Sequence, residues 1–208
     1  RSSQKKRSKN KKNKKKQLGV CLNSMRTEPD RYSSIYPCSY SSWRNSALSP
    51  KRQPLVLTGS GASILGTAAR SHSTEMATKN FFSHNSADRT SAATRITKKF
   101  GYPSAFVGEN IAAGQQTVLA VCAAWMCSSG HRTNILRCGF DTLGSGVAIN
   151  AGSSRYGIYY THDFGCSKSA GGAQLRGHGA AASEPGADAD DEPGGDAACD
   201  DKAAFSSA

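Results

Sequence analysis

Apolar residues in the middle of the chain recur with the spacing of an α-helix. Between residues 62 and 80 the spacings are four, three and four, along one stripe. Its members are Leu65, Ala69, His72 and Met76. A single stripe of this kind predicts a helix that buries one side against a core.

Two further helices are predicted on either side of a break at Gly101 and Pro103. The first covers about residues 88–100, with Ala92, Ile96 and Phe100 on one side. The second begins at Thr117 and ends at Gly130, a residue common after the last turn of a helix. One side of this last helix carries Val118, Val121, Cys122, Trp125 and Ser129.

The pattern changes to strands after these helices. Residues 147–149 and 155–161 are apolar and β-branched or aromatic, and a turn-rich connector over 150–154 joins them. Alternation places one set of side chains on one face of the last strand: Tyr156, Ile158, Tyr160, His162 and Phe164. Helices followed by an antiparallel pair predict a layered α/β domain over residues 55–168.

The segments that flank this domain carry opposite charges. The whole chain has 208 residues and a net charge of +12. Residues 1–16 contain ten basic residues and no acid, so we expect a disordered tail there. Residues 17–54 are rich in Ser, Pro and Arg and give no clear element. Residues 169–208 contain small and acidic residues and are expected to form a second disordered tail.

Composition also excludes some classes of protein. The longest apolar run, 118–127, is about half of the roughly 20 residues that span a bilayer, so no transmembrane helix is predicted. The chain begins with Arg1 and a lysine run instead of a secretory signal, and we expect that the native N-terminus is not complete here.

Seven cysteines without a Cys-x-x-Cys pair favour an oxidising compartment. Four of them lie within the predicted domain: Cys122, Cys127, Cys138 and Cys166. Cys122 and Cys127 on one helix are too far apart to be bridged. Two pairings remain open, Cys127 with Cys138 and Cys122 with Cys166, or the same partners exchanged.

Candidate chemistry is concentrated in the same domain, which contains four histidines: His72, His84, His131 and His162. Glu109 stands among small and apolar residues, and a buried carboxylate needs a partner. Imidazoles are the candidate partners. We expect His72 to be a core residue of its helical stripe and His162 to have a structural role.

Several motifs in order resemble the CAP superfamily, which comprises cysteine-rich secretory proteins, antigen 5 proteins and plant pathogenesis-related proteins. They are His72-Ser73-Thr74-Glu75-Met76-Ala77, Asn80-Phe81-Phe82-Ser83-His84, Gly101-Tyr102, Gly108-Glu109-Asn110-Ile111-Ala112, the run from Trp125 to Leu136, and Asp163-Phe164-Gly165. The likeness is strongest to the short bacterial and algal-type members, and covers about residues 55–168.

The resemblance implies an α-β-α sandwich (the SCP domain) with a central antiparallel sheet and a cleft of histidines and acids. It assigns His84, Glu109 and His131 to that cleft, with His72 as a further candidate. Plant-type members carry a glutamate where this chain has Ser128. Members of the family begin with a helix bearing Asn and Arg ahead of a Pro-Leu segment, for which Arg44-Asn45 and Pro54-Leu55 are the candidates, so residues 17–54 are interpreted as a degraded first helix.

The resemblance also implies a secreted or cell-wall protein that binds a ligand in defence or signalling, without catalytic residues. Candidate ligands are a lipid, a sterol or a cell-wall glycan. Two imidazoles and a carboxylate from His84, His131 and Glu109 are a donor set that suits zinc or another divalent cation. The alternative is that they hydrogen-bond to one another and fix the walls of the cleft.

Two other function classes remain open. In the first, the protein is a hydrolase whose cleft either holds a divalent metal ion or uses Ser83 or Ser128 as the nucleophile. No nucleophile elbow is present in the sequence. In the other, residues 1–16 bind polyanions nonspecifically by counterion release.

Overall fold

A three-stranded antiparallel sheet with helices on both faces organises the part of the chain that the computed structural model describes, residues 2–39, 52–104, 106–150 and 154–166. The strands are β1 (Val107–Ala113), β2 (Thr142–Ile149) and β3 (Ile158–Gly165), with β3 in the middle. The helices are α1 (Ser2–Thr27), α2 (Gly59–Lys79), α3 (Ala92–Thr94), α4 (Val118–Cys127) and α5 (Ser129–Leu136). A 3-10 helix follows α1 over Pro29–Ile35, and a π-helix continues α3 over Arg95–Lys99.

The alternation of β3 separates two cores. Ile158, Tyr160 and Phe164 pack with apolar residues of α1, α4 and α5, whereas Tyr159 packs with Met76 of α2 on the opposite face. The α/β sandwich expected from the sequence is therefore confirmed. Tyr156 was assigned to the wrong face: it precedes β3 and its ring lies 5.8 Å from that of Tyr159.

Two helical predictions need correction at their ends. The predicted helix over 88–100 begins only at Ala92, after its N-cap Ser91 accepts a hydrogen bond from the Thr94 amide. Gly130 does not end a helix: α4 ends at Cys127 and Gly130 lies in the first turn of α5. Strand β1 was not predicted, because its Glu and Asn conceal the apolar pattern of a buried strand.

Residues 2–16 are helical, where we expected a disordered tail. The reason lies in the next three turns. Leu18, Leu22 and Met25 are buried at spacings of four and three, so the second half of α1 is held on the core. Lysine and glutamine have good helix propensity, and the helix continues from this anchored half back to Ser2. The acidic tail predicted over 169–208 lies outside the described residues.

Polar contacts fix the end of α1 to the rest of the domain. Arg26 is 3% exposed and donates hydrogen bonds to the carbonyl oxygens of Ile135, Arg137 and Phe140 at 2.5, 3.0 and 3.3 Å. Asn23 exchanges two hydrogen bonds of 2.9 Å with the backbone of Leu55.

Helix α1, which carries Asn23 and Arg26, thus lies ahead of the Pro54-Leu55 segment in the chain. Arg44-Asn45, the residues for which the sequence suggested a first helix, lie outside the described part of the chain.

Two glycines of β2 allow α2 to lie directly on the sheet. A Cβ at Gly144 would overlap the backbone of Leu65 and Gly66, and one at Gly146 would overlap the backbone of Ala69 and Arg70. Because α2 lies this close to the sheet, its next turn, which carries His72, lies near β1 on the same face of the sheet.

The disulfide pairings predicted for the domain are both wrong. Cys127 is bonded to Cys38, and Cys138 also takes part in a disulfide bond. Cys122 and Cys166 carry free thiols, as does Cys21. The partner Cys38 lies in a segment with no clear helix or strand pattern, outside the predicted domain over residues 55–168.

Candidate functional site

A cluster of ionisable side chains lies on the face of the sheet that α2 covers. We call it the Glu109 cluster and define it by its members: Glu109, Arg95, His84, His72 and Asp163. Glu109 belongs to β1, and alternation turns it to the same face as Ile111, which packs against Met76 of α2. Its side chain is 2% exposed, as the enclosed position in the sequence predicted.

Arg95 is the ionic partner of this buried carboxylate. Its guanidinium group, 1% exposed, forms an ion pair with Glu109 Oε2. The same group donates hydrogen bonds of 3.0 Å to the carbonyl oxygen of His84 and to Ser86 Oγ. Arg95 therefore joins the π-helix, the loop of His84 and strand β1 at one point.

Two histidines contact the other oxygen of Glu109. His84 Nδ1 lies 2.9 Å from Oε1, so this nitrogen carries a proton and donates it in a hydrogen bond to the carboxylate. His72 Nε2 lies 3.9 Å from the same oxygen and donates a hydrogen bond of 2.8 Å to the carbonyl oxygen of Ser83. His84 is the half-exposed member of the cluster, whereas His72 is fully buried.

A second carboxyl group faces Glu109 on the neighbouring strand. Asp163 of β3 pairs with Glu109 in the register of β1 and β3, and both are buried. Burial raises the pKa of Asp163 well above its usual range, and the charge of Glu109 adds to the effect. The protonated, neutral form of Asp163 is therefore favoured over the carboxylate.

Glu109 shows the opposite behaviour. Burial opposes its ionisation, but the hydrogen bond from His84 and the charge of Arg95 outweigh burial and lower the pKa of Glu109. Burial lowers the pKa of His72, although the charge of Glu109 acts in the other direction. The cluster thus combines an ionised carboxylate and a guanidinium cation with two groups, Asp163 and His72, whose neutral forms are favoured.

His131 belongs to α5, which contacts β1. Its helix α5 is held there by Asn134, whose amide donates hydrogen bonds to the Glu109 carbonyl oxygen and to Asn110 Oδ1 at 3.2 and 3.0 Å. Asn110, fully buried, donates in turn to the carbonyl oxygen of His131 at 3.0 Å. Burial, followed by the charge of His84, lowers the pKa of His131 to about 4.

The predicted trio is therefore brought together only in part. His84 and Glu109 are in direct contact, while His131 lies within electrostatic range of His84 and is not hydrogen-bonded to Glu109 by any contact of the described residues. His72, expected in the core, is in the core and also beside Glu109.

His162 is separate from the cluster. Its ring lies 4.8 Å from that of Trp125, on the face of the sheet opposite Asp163. Burial lowers its pKa to about 3, so the ring that packs on Trp125 is neutral.

The two serines considered as nucleophiles are not joined to a histidine by the hydrogen bonds of the described residues. Ser83 Oγ accepts from the amide of Asn85 at 3.1 Å, and its carbonyl oxygen is the group that meets His72. The backbone of Ser128 caps the start of α5, where its carbonyl oxygen accepts from the Arg132 amide. Neither contact activates a hydroxyl group.

The donor set does not fit a metal held by the predicted trio. Both oxygens of Glu109 are already engaged, one by Arg95 and one by His84. Within residues 2–39, 52–104, 106–150 and 154–166, no group of three or more His, Cys, Asp or Glu side chains is arranged to hold a metal ion. Zinc binding by His84, His131 and Glu109 therefore gains no support from the geometry.

Sequence reasoning missed four residues that build the site: Arg95, Asn110, Asn134 and Asp163. A buried acid predicts a cationic partner, and Arg95 stands next to Ile96 on a helix already predicted to be amphipathic. The two asparagines lie within the quoted motifs, but their spacing does not show that β1 and α5 meet.

A groove of about 580 Å³ lies apart from the cluster, between the middle of α1 and the start of α4. We call it the α1–α4 groove. Among its lining residues are Lys16, Val20, Cys21, Tyr32, Val118 and Leu119. Val20 and Leu119 are about half exposed although they are apolar. No described helix has the length and apolar character that crossing a membrane requires.

Comparison with known proteins agrees with this architecture. The sequence model of the cysteine-rich secretory protein (CAP) family matches residues 62–164. The uncharacterized protein YkwD of Bacillus subtilis (strain 168) is 43% identical over 89 residues, which are 43% of this chain and 34% of that protein. The chain thus spans about a third of the length of this curated relative.

A solved structure shows the same fold. An extracellular protein containing an SCP domain from Bacillus anthracis str. Ames has a TM-score of 0.51 at 24% identity, over 74% of this chain and 40% of that one. A cysteine-rich secretory protein from Staphylococcus aureus subsp. aureus Mu50 has a TM-score of 0.49 at 19% identity, over 74% and 38%. With the family model, the YkwD relative and the observed sandwich in agreement, residues 62–164 form a domain of the CAP, cysteine-rich secretory protein family.

Proposed function

We propose that the protein is an extracellular binding module that takes up the acyl chain of an anionic lipid in the α1–α4 groove. The observation that carries the proposal is the groove itself. Its volume of about 580 Å³ falls within the roughly 300–1,000 Å³ of small-molecule sites. Half-exposed Val20 and Leu119 supply apolar surface that a hydrocarbon chain would cover.

The charge at one end of the groove favours an anionic head group. Lys16 lines the groove one helical turn before Val20, so a carboxylate or phosphate at Lys16 would leave its chain along Val20 and Leu119. A sterol or a neutral glycan lacks this combination of an anion and a flexible apolar chain.

The state of the Glu109 cluster supports binding over hydrolysis. Its carboxylate is engaged by Arg95 and His84, and its histidines contact no serine hydroxyl group in the described structure. We infer that the cluster holds α2, β1 and the His84 loop together. The Cys38–Cys127 disulfide and the extracellular bacterial neighbour support an extracellular location.

The test is binding of dodecanoate, tetradecanoate and hexadecanoate, measured by displacement of a fluorescent fatty acid. Affinity should rise with chain length, by at most about 0.8 kcal/mol for each methylene that is fully buried. Val20→Glu should weaken binding of all three. Val56→Glu is the matched control, because Val56 is a valine of the same exposure outside the groove. Equal binding of fatty acids by the two variants would show that the α1–α4 groove is not the binding site.

Nonspecific polyanion binding is a second candidate, since α1 presents exposed lysines. Lys12 and Lys16 are exposed, and Lys14 is partly so. Elution of the protein from immobilised heparin and from RNA tests this function. Binding that disappears for both at about 0.2 M salt would indicate counterion release alone, and a sequence preference that persists there would indicate RNA recognition.

A further inference from the structure

Two free thiols meet at the contact between α1 and α4. Cys21 of α1 is half-buried and lines the α1–α4 groove, while Cys122 of α4 is 1% exposed. The two thiols interact with each other, and Cys21 packs against the core cluster that contains Cys122. Cys122 Sγ also lies 4.0 Å from the carbonyl oxygen of Leu18, one helical turn before Cys21. Both contacts place the Cys122 sulfur against the turn of α1 that carries Cys21.

The two thiols differ in the way that thiol–disulfide exchange requires. The interaction with Cys122 lowers the pKa of Cys21, which favours the thiolate at the more accessible sulfur. Burial raises the pKa of Cys122 well above its usual range, and the interaction with Cys21 adds to this. A nucleophilic thiolate in a groove with a protonated thiol behind it is the arrangement of an attacking and a resolving cysteine.

We propose that Cys21 and Cys122 are a redox-active pair that reacts with low-molecular-weight disulfides and closes to a disulfide between α1 and α4. The Cys21 thiolate attacks one sulfur of the small disulfide, forms a mixed disulfide and releases one small thiolate. Cys122 then loses its proton to solvent, attacks the Cys21 sulfur and releases the second small thiolate. The protein loses two electrons and two protons, and the small disulfide is reduced to two thiols.

The consequence for the groove rests on the proposed function. A disulfide holds two sulfur atoms closer together than a hydrogen bond does, so its formation draws α1 and α4 together at the groove. It also replaces the Cys21 thiol that lines the groove. The oxidised protein should therefore bind the acyl chain more weakly than the reduced protein.

The experiment treats the full chain with oxidised glutathione and maps its peptides by mass spectrometry. In the unchanged protein, we expect loss of two hydrogens and a peptide pair joined through Cys21 and Cys122. Cys122→Ser should retain glutathione on Cys21. Cys21→Ser should give no adduct at Cys122. Cys166→Ser is the matched control, because it removes another partly exposed free thiol and should leave the link intact.

Three results would overturn the thiol pair: glutathione that stays on Cys21 in the unchanged protein, a link that runs through Cys166 instead, or no reaction at either cysteine. Fatty acid binding, measured before and after oxidation, is a separate readout. A link without any acyl binding would reject the proposed function and retain the redox pair. A link that leaves acyl affinity unchanged would reject only the effect on the groove.

Discussion

Arg95→Met tests whether the Glu109 cluster is the buried ion pair that the geometry describes. The change keeps most of the volume of the side chain and removes the cation from a site in which Arg95 is 1% and Glu109 2% exposed. Removal of one partner from a buried pair leaves an uncompensated charge, which costs about 3–5 kcal/mol. The carbonyl oxygen of His84 and Ser86 Oγ lose a donor as well.

The free energy of unfolding of Arg95→Met, measured by urea denaturation and circular dichroism, should therefore fall by at least about 3 kcal/mol at pH 7. The matched control is Lys79→Met, which breaks the exposed pair with Glu75 and should cost about 1 kcal/mol or less. Arg95→Met combined with Glu109→Gln should recover part of the loss, because no buried charge is left unpaired.

The pH dependence provides a second check on the same variant. In the unchanged protein the pKa of Glu109 is lowered, so its contribution to stability is present above its unfolded pKa and is lost as the pH falls. Without Arg95 the pKa of Glu109 should rise above the unfolded value, and protonation of the folded state then relieves the cost as the pH is lowered. The difference between variant and unchanged protein should be smaller at pH 5 than at pH 7. A cost for Arg95→Met no larger than that of Lys79→Met would refute the reasoning.

Three other predictions concern packing, acid stability and the disulfide. Gly146→Ala should destabilise the fold by about 1–3 kcal/mol or more because its Cβ would overlap α2, whereas Gly130→Ala meets no atom within 4 Å and should stabilise α5 by up to about 1 kcal/mol in urea unfolding. The pKa of His162 is lowered to about 3, so the unfolded state binds the additional proton and stability falls as the pH drops below about 6.5. His162→Gln should therefore reduce the loss of unfolding free energy between pH 7 and pH 5 by about 2 kcal/mol, and an unchanged loss would show that His162 is not buried. Cys38→Ala with Cys127→Ala opens a bridge across 89 residues and should lower the melting temperature, at a cost of about 2–5 kcal/mol, and an unchanged melting temperature would contradict the bridge.

Local patterns in the sequence were sufficient to predict helix α2 and to predict which side chains of β3 share a face. They were not sufficient to predict α1 or β1. The buried stripe of α1, through Leu18, Leu22 and Met25, has helical spacing, but it follows sixteen residues whose lysine content dominates the composition. Strand β1 carries its buried polar residues because they are satisfied by other elements, and no local pattern contains that information.

The dependence on tertiary packing also explains why the candidate site could be predicted only in part. A carboxylate in apolar surroundings predicts partners, and His84 contacts Glu109 in the structure. Arg95 could not be identified, because the meeting of its helix with β1 depends on tertiary packing. The pairing of Cys127 with Cys38 likewise depends on where the segment after α1 passes, and spacing along the chain does not determine that.

The hydrogen bonds of Arg26 have a consequence for the order of events during synthesis. Its acceptors, the carbonyl oxygens of Ile135, Arg137 and Phe140, lie 109–114 residues further along the chain. Helix α1 is thus synthesised long before the residues that accept the hydrogen bonds of Arg26. Contacts between residues so far apart in the sequence form slowly. Until those residues are synthesised, the apolar stripe of α1 is exposed to solvent. The neighbouring lysines repel the lysines of other nascent chains, and this repulsion opposes aggregation through the exposed stripe.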